Sequence, residues 1–191
     1  MDESLFTKKD IITTNELRLL KTSKTTFYKN IDHLGFKKVA HGIYAKKNAL
    51  IDPLFIISKR CPQAVFSHDE ALFYYGLIDN EPQKVTFTIY SGYNKTKLQK
   101  DNYKVFTIKK DLLDLGKIYI EDQFKNVVSI YDLERTICDL IRSRSYYDVE
   151  TFNKALKTYA KRKDKDLGKL FEYARKFSID KILRKYLEIL L

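Results

Sequence analysis

The chain has 191 residues, of which 44% are hydrophobic and 14% aromatic, with 6 Gly and 3 Pro. This composition excludes a disordered, collagen-like or low-complexity protein, and the length suits one large domain or two small ones. With 36 Lys and Arg against 25 Asp and Glu, the formal net charge is +11, which attracts polyanions such as nucleic acid without identifying the polyanion. A basic protein whose lysines serve solubility has the same balance.

Residues 1–48 predict three helices followed by a hairpin. The first helix is short, over Asp2–Lys9, the second begins at an N-cap, Thr14, and the third begins at another N-cap, Ser23. Apolar residues of the third helix recur with the spacing of one buried face, at Phe27, Ile31 and Leu34. The next residue, Gly35, occupies the position of a helix C-cap.

Two short strands, Phe36–Val39 and Ile43–Lys46, complete this region, with Ala40–Gly42 as the turn between them. Three helices and a hairpin in this order are typical of a winged helix-turn-helix. We therefore interpret residues 1–48 as a DNA-binding domain of that type and residues 49–191 as a separate C-terminal domain.

The C-terminal domain is predicted to begin with short helices and strands. Asp52–Ser58 predicts a short helix, and Ser67–Glu70 has the spacing of a capping box at the start of a helix over 68–75. Lys84–Tyr90 alternates between apolar and polar residues, which predicts a strand with one buried face. Three more strands are predicted, over 103–108, 117–120 and 127–130.

Helices dominate from Tyr131 onwards. The first has an apolar stripe of Leu133, Ile137, Leu140 and Ile141. Three more are expected over 148–161, 166–176 and 179–190, with Ser178 as the cap between the last two. The predicted fold class is α+β: a winged helix-turn-helix followed by a mixed α/β domain with a small sheet and a helical C-terminal bundle.

The third helix has the polar surface that a DNA-reading helix needs. Such a helix presents polar and basic side chains near its N-terminal end to base edges and phosphates in the major groove. The candidate contacts on its free face are Ser23, Lys24, Thr25, Thr26, Tyr28 and Lys29. A winged helix used for protein contacts is the alternative, but its surface would expose large apolar residues.

The hairpin and the last helices add further candidate DNA contacts. Those on the hairpin are Lys37, Lys38, His41, Lys46 and Lys47, although His41 is equally explained as a turn residue. Those of the C-terminal helices are Lys161, Arg162, Lys163, Arg184 and Lys185. A basic patch there would extend the footprint and steepen the salt dependence of binding, whereas the alternative is an ordinary set of solvated helix surfaces.

Several stretches of the chain resemble AbiEi-type antitoxins. In the first domain they are Ile12–Thr14, Ser23–Tyr28 and His41–Tyr44, and in the second they are Pro62–Leu72, Gly76–Leu77 and Tyr131–Leu140. The most specific are Ser-His-Asp-Glu-Ala-Leu, from Ser67, and Glu-Arg-Thr-x-x-Asp-Leu, from Glu134, because composition alone would not produce both in this order. The resemblance covers nearly the whole chain. One departure is the short first helix, which suggests a domain trimmed at its N-terminus.

This resemblance implies an antitoxin of a type IV toxin–antitoxin system linked to abortive phage infection. It implies a repressor that binds inverted repeats in the double-stranded DNA of its own operon, through the winged helix and a positive surface of the C-terminal domain. It also implies that the C-terminal domain antagonises an AbiEii-like nucleotidyltransferase toxin without forming a stable complex with it. A module that binds the toxin directly is the remaining alternative.

A nucleic-acid-processing enzyme with a DNA-binding arm is the rival class. A Mg²⁺ site would need clustered carboxylates, and the candidates Asp111, Asp114, Glu121 and Asp122 lack motif spacing. The run Ser67–Glu70 includes residues of hydrolase type, but a catalytic triad is set by geometry and not by adjacency in sequence. We therefore do not expect an enzyme.

Three remaining features bear on cofactors, helix packing and location. Cys61 and Cys138 have no Cys or His partner at zinc-ligand spacing, so we interpret both as reduced core residues and expect no metal or other cofactor. Arg135 and Asp139 stand four residues apart and are expected to pair and lock helix packing. No stretch approaches the ~20 apolar residues of a membrane span, and no apolar run resembles a signal peptide, so we expect a cytoplasmic protein without a membrane partner.

Overall fold

A computed structural model describes residues 9–19, 23–95, 98, 103–122 and 124–190, with backbone only for Leu19 and Ile189. The chain divides into two compact units, Met1–Pro62 and Gln63–Leu191. The predicted first helix, apart from Lys9, and residues 20–22 lie outside the described residues. No helix in the described parts combines the length and apolarity needed to cross a bilayer.

The first unit has the strand order and helix placement of a winged helix-turn-helix. Its elements are β1 (Ile11–Thr13), α1 (Thr14–Leu19), α2 (Lys24–Asn30), β2 (Phe36–Ala40), β3 (Ile43–Lys46) and α3 (Pro53–Arg60). The three strands form an antiparallel sheet in the order β1-β3-β2. Because α3 packs against β3, this unit ends later than the predicted boundary after residue 48.

The core of the first unit joins the sheet to the two helices. Its buried residues are Ile12, Leu17, Phe27, Phe36 and Tyr44, with Ile31 and Leu34 packed at its edge. The predicted cap of α2 is confirmed, since Ser23 Oγ accepts the Thr26 N–H at 3.0 Å. Gly35 has the left-handed φ of 73° expected after a helix, and the Phe36 N–H closes the turn on the Ile31 carbonyl at 2.9 Å.

The start of α1 differs from the prediction. Thr13, and not Thr14, is the N-cap: its backbone N–H and hydroxyl donate to Glu16 Oε2 at 2.8 and 2.9 Å, and the Glu16 N–H donates back to Thr13 Oγ1 at 3.3 Å. This is a capping box. Thr14 instead donates its hydroxyl to the Gly42 carbonyl at 3.0 Å, which ties α1 to the hairpin turn. The strand β1 was not predicted, because three residues are too few for a visible alternation.

The second unit contains a five-stranded mixed sheet and a group of C-terminal helices. Its elements are β4 (Val65–Phe66), α4 (Asp69–Tyr74), β5 (Thr86–Tyr90), β6 (Lys104–Ile108), β7 (Lys117–Glu121), β8 (Val127–Tyr131), α5 (Leu133–Arg142), α6 (Val149–Lys161), α7 (Leu167–Lys176) and α8 (Asp180–Leu190). The sheet order is β6-β5-β4-β8-β7, with β5–β6 and β4–β8 parallel and the other pairs antiparallel. Together the two units make an α+β protein, as predicted.

The apolar stripes of the last four helices form the main core of this unit. α5 contributes its predicted stripe and α6 contributes Phe152, Leu156 and Tyr159, all of them buried. α7 adds Leu170 and Ala174, which pack in the same cluster. Four amphipathic helices therefore contribute most of the buried residues of this cluster, as their spacing predicted.

Two predictions around β4 and β5 were wrong. Thr86 and Thr88, expected on a solvated surface, are buried, and α4 packs against β5. Ser67 does not cap α4: its Oγ lies 2.8 Å from Thr88 Oγ1 and 3.0 Å from His68 Nδ1. The Glu70 N–H donates to Thr86 Oγ1 at 2.9 Å. These hydrogen bonds make the buried hydroxyls tolerable inside the unit.

The cap between the last two helices also has a different role. Ser178 has a φ of 57°, its N–H donates to the Arg175 carbonyl at 3.1 Å, and the Ile179 N–H donates to the Ala174 carbonyl at 2.9 Å. This pattern is the Schellman motif that ends α7. Ser178 therefore terminates α7 and does not begin α8, which starts at Asp180.

Candidate nucleic-acid interface

The polar surface predicted on α2 is exposed in the structure. Its solvent-facing members are Ser23, Lys24, Thr25, Thr26, Tyr28 and Lys29. Ser23 and Thr26 share a hydrogen bond at 2.7 Å between their hydroxyl oxygens, which holds the first turn in place. Asn30 closes the last turn by donating its Nδ2–H to the Thr26 carbonyl at 2.9 Å. The helix thus presents the hydroxyl groups of short side chains and two lysines. Hydrogen bonds of its own polar residues hold its first and last turns in place.

Tyr28 is the one large aromatic residue on this surface, with 45% of its area exposed. The buried Tyr44 of β3 donates its hydroxyl to Tyr28 Oη at 2.9 Å. The centres of the two rings lie 5.7 Å apart, and the Tyr44 ring also packs edge-on against Phe27, 5.1 Å away. Burial, with the hydrogen bond to Tyr28 as a further cause, raises the pKa of Tyr44 to about 12.

The lysines of the hairpin lie on different faces of the sheet. Lys38 is directly opposite Tyr44, whereas Lys37 is opposite Ala45, and neighbouring residues of a strand point to opposite faces. Lys46 pairs with Asp10 at 3.1 Å and Lys47 pairs with Asp32 at 3.5 Å. Such surface ion pairs are weak, so both lysines can exchange their carboxylates for a phosphate.

His41 is exposed in the turn of the hairpin, before Gly42. Gly42 has a φ of 74°, and a Cβ there would lie 2.5 Å from Thr14 Oγ1. The close approach of α1 therefore requires glycine at this position. It also accounts for the His-Gly turn without any role for the imidazole in binding.

The basic residues predicted to bind DNA in the second unit lie at two places. Lys161 and Lys163 are exposed around the end of α6, and Arg184 and Lys185 are exposed along α8. Between the first two, Arg162 donates to both carboxylate oxygens of Asp164, at 2.8 and 2.7 Å, and to the Tyr75 carbonyl at 2.8 Å. Its guanidinium is engaged within the unit, which makes it the weakest of these predicted contacts.

The Glu-Arg-Thr stretch of α5 forms a buried ionic cluster. Arg135 is fully buried and its Nε donates to Asp139 Oδ2 at 3.0 Å, which confirms the predicted pairing. The same guanidinium donates to the carbonyls of Leu112 and Leu115, at 2.9 and 2.7 Å. Asp139 also accepts from Arg142 Nη1 at 2.7 Å. These contacts tie α5 to the segment between β6 and β7, as a packing role requires.

A second buried polar group surrounds His68 and was not predicted. His68 has φ 54° and ψ −120°, a conformation that only glycine adopts readily, and its ring stacks on Phe106 at 3.4 Å between centres. Nδ1 lies 3.0 Å from Ser67 Oγ and Nε2 lies 3.0 Å from Ser143 Oγ. Burial lowers the pKa of His68 to about 4, so the ring is neutral near pH 7.

The residues of hydrolase type in this stretch are not arranged as a triad. Asp69 accepts a hydrogen bond from the Tyr146 hydroxyl at 2.8 Å, while both His68 nitrogens face hydroxyl groups. A triad instead needs a carboxylate that orients the imidazole toward a serine.

Asp69 also lines an open cleft of about 410 Å³. The other lining residues of this cleft are Gln83, Lys84, Tyr103 and Lys104.

The four carboxylates considered for Mg²⁺ serve local structure or are exposed. Asp114 pairs with Lys117 at 3.2 Å, and Asp122 Oδ1 accepts the backbone N–H groups of Phe124 and Asn126 at 2.7 and 2.9 Å. Asp111 and Glu121 are exposed. Within the described residues, no group of three or more His, Cys, Asp or Glu side chains is arranged to hold a metal ion.

These features define a two-unit α+β protein whose first unit is a winged helix-turn-helix with an exposed polar helix and a basic hairpin. No protein-family model matches the chain, and no curated protein matches it. Among solved structures, the crystal structure of the Rv2827c protein from Mycobacterium tuberculosis superposes with a TM-score of 0.65, over 90% of this chain and 69% of that one, at 12% identity. At this identity the likeness shows the fold alone.

Proposed function

We propose that the chain binds double-stranded DNA and reads an operator through its winged helix-turn-helix unit. The observation that carries this proposal is the juxtaposition, in one unit, of the exposed hydroxyl and lysine side chains of α2 with a basic hairpin. Hydroxyl and ammonium groups are the donors that DNA-binding proteins direct at phosphates and at base acceptors.

In this proposal each part of the unit has a separate task. α2 would enter the major groove with Lys24, Thr25 and Thr26 leading, since these residues form its exposed first turn. The hairpin would follow the neighbouring phosphates with its lysines. Contacts to phosphates position the protein, and contacts to base edges distinguish sequences, so the first-turn residues of α2 carry the specificity in this proposal.

The resemblance to AbiEi-type antitoxins supports a more specific role. We propose a cytoplasmic autorepressor that binds inverted repeats in its own operon and belongs to a type IV toxin–antitoxin pair acting in abortive phage infection. Its second unit would antagonise an AbiEii-like nucleotidyltransferase toxin without a stable complex. Exposed lysines and arginines of α6 and α8 would add sequence-independent phosphate contacts.

A binding titration with matched variants tests the proposal. The full chain is titrated against duplex from the region upstream of its own gene and against a random duplex of equal length, at two salt concentrations. We expect specific binding that survives moderate salt. Lys24→Ala and Thr26→Ala should each weaken operator binding about tenfold, and random-duplex binding less, because a lost base contact costs about 1–3 kcal/mol.

Lys59→Ala is the matched control, since Lys59 is exposed on α3 of the same unit and lies over the Phe55 ring, away from α2 in sequence. It should leave the preference for operator DNA unchanged. Equal losses on both duplexes for the α2 variants would contradict the assignment of α2 as the reading helix. Equal, salt-labile binding of the wild type to both duplexes would contradict operator recognition and favour a protein partner.

The antitoxin role needs a separate measurement. In cells expressing the toxin, the Lys24→Ala/Thr26→Ala chain should fail to repress a reporter fused to the operator but should still protect growth. Loss of protection by this variant, at wild-type protein levels, would show that the DNA-reading unit is required for antagonism. Stable co-purification of the toxin with the wild-type chain would favour direct binding instead.

A further inference from the structure

The tyrosine pair at the surface of the first unit has a defined direction. Tyr44 is buried and its hydroxyl donates to the oxygen of the half-exposed Tyr28. A tyrosine hydroxyl has one hydrogen to donate, so the Tyr28 oxygen accepts from inside the protein and its own hydrogen is left to donate outward. A hydroxyl that already accepts a hydrogen bond is also polarised, which strengthens it as a donor.

The ring contacts limit the movement of the Tyr28 side chain, which carries this donor. Phe27, Tyr28 and Tyr44 lie within 5.1–6.0 Å of one another between ring centres, in tilted or edge-on arrangements. Phe27 is fully buried in the core of the unit, so the group is anchored at its base. Tyr44 therefore fixes the position of Tyr28 as well as the direction of its hydroxyl.

A cation lies on the same face of the sheet. Lys38 is directly opposite Tyr44 in the β2–β3 pair, and residues opposite each other in an antiparallel pair have Cβ atoms about 4.5–5.5 Å apart. Lys38 is exposed, and the β-bulge between Lys38 and Ala40 follows it directly. The preceding residue, Lys37, is also exposed but belongs to the opposite face, with Ala45.

We propose that Tyr28 and Lys38 bind one backbone phosphate of duplex DNA at the junction between α2 and the hairpin, with Tyr44 as the positioning residue. This site rests on the proposed function. A hydroxyl whose hydrogen is free to donate outward and an ammonium group on the same face offer two donors, and a phosphate has the charge and the oxygens to accept from both. A base edge with mixed donors and acceptors suits this pair less well.

The test is a double-mutant cycle measured by fluorescence anisotropy on the full chain, with the operator duplex and a random duplex. Tyr28→Phe should lower affinity for both duplexes by about tenfold, because it removes a hydrogen bond to a charged group. Tyr44→Phe should lower it by about threefold in the wild-type background and have no effect in the Tyr28→Phe background. Equal losses on the two duplexes identify a phosphate and not a base as the acceptor.

Lys38→Ala and Lys37→Ala form the matched pair for the cation. Lys38→Ala should reduce the slope of log affinity against log salt by about 1, as expected for one lost phosphate contact, and its effect should be non-additive with that of Tyr28→Phe. Lys37→Ala should be additive with Tyr28→Phe. A purely structural role for Tyr44 would lower the melting temperature and would weaken binding equally in both backgrounds.

The outcomes separate this site from the proposed function. Specific duplex binding by the wild type, together with additive Tyr28 and Tyr44 effects, overturns the site and leaves the proposed function in place. So does coupling of Tyr28→Phe to Lys37→Ala as strong as its coupling to Lys38→Ala. Absence of duplex binding by the wild type overturns the proposed function and this site with it.

Discussion

The two units differ in where the polar side chains of their helices point. On α2, hydroxyls and lysines face the solvent, and the hydrogen bonds among them fix only the ends of the helix. On α5, Arg135 and Asp139 are turned inward and paired with one another, and Arg135 also donates to two carbonyls of a distant segment. Polar residues on a helix therefore indicate a binding surface only when the tertiary structure leaves them exposed.

The largest expected effect is on the free energy of unfolding, when the buried ion pair of α5 is broken. Arg135→Ala would remove the fully buried cation of this pair and leave Asp139 with only the partly exposed Arg142, and breaking a buried ion pair in this way costs about 3–5 kcal/mol. We expect the free energy of unfolding, measured by urea titration, to fall by about this amount. Arg142→Ala is the control: Arg142 is 30% exposed, and Asp139 keeps Arg135, so about 1 kcal/mol is expected.

An equal effect of the two substitutions would contradict the comparison. It would mean that the cluster on α5 is solvated enough for its two arginines to be interchangeable. Arg135→Ala would then behave like removal of a surface cation, and the inward-facing role of the Glu-Arg-Thr stretch would have to be abandoned.

The two units also differ in the burial of a histidine, His68 in the second and His41 in the first, and the pH dependence of stability tests this difference. Burial holds the pKa of His68 at about 4 in the folded unit, below its ordinary value of 6.5. The unfolded chain therefore takes up a proton first as the pH falls. The stability that neutral His68 contributes is fully present above pH 6.5 and is lost as the pH falls from 6.5 to about 4, by an amount on the order of 3 kcal/mol.

Chemical denaturation of wild type and of His68→Gln across this range measures the contribution. The free energy of unfolding of the variant should fall less between pH 7 and pH 4 than that of the wild type. His41→Gln is the matched control, because His41 is exposed, and it should follow the wild-type curve. Parallel curves for wild type and His68→Gln would show that the buried ring is not the proton-linked group.

Much of this arrangement follows from local sequence, and the rest depends on partners that are remote in the chain. The four C-terminal helices were predicted because their apolar spacing is long and regular, and the hairpin was predicted because Ala40–Gly42 marks the turn between two short strands. The environment of His68 was not, since Ser143 is 75 residues away and nothing near either residue indicates the other. The separation of Lys37 from Lys38 likewise depends on the register of β2 with β3, which fixes the face that each lysine occupies.

The smallest expected effect concerns the surface of the second unit. Arg184→Glu/Lys185→Glu should lower duplex affinity several-fold and make the salt dependence shallower, because each phosphate contact contributes about 0.9 to the slope of log affinity against log salt. Lys109→Glu/Lys110→Glu is a matched reversal, since both lysines are exposed, adjacent and in the same unit. A change in the slope for the α8 variant alone would indicate that exposed basic residues of the second unit also contact DNA. The same slope for both variants and the wild type would place α8 away from DNA, and DNA contact would then be assigned to the first unit alone.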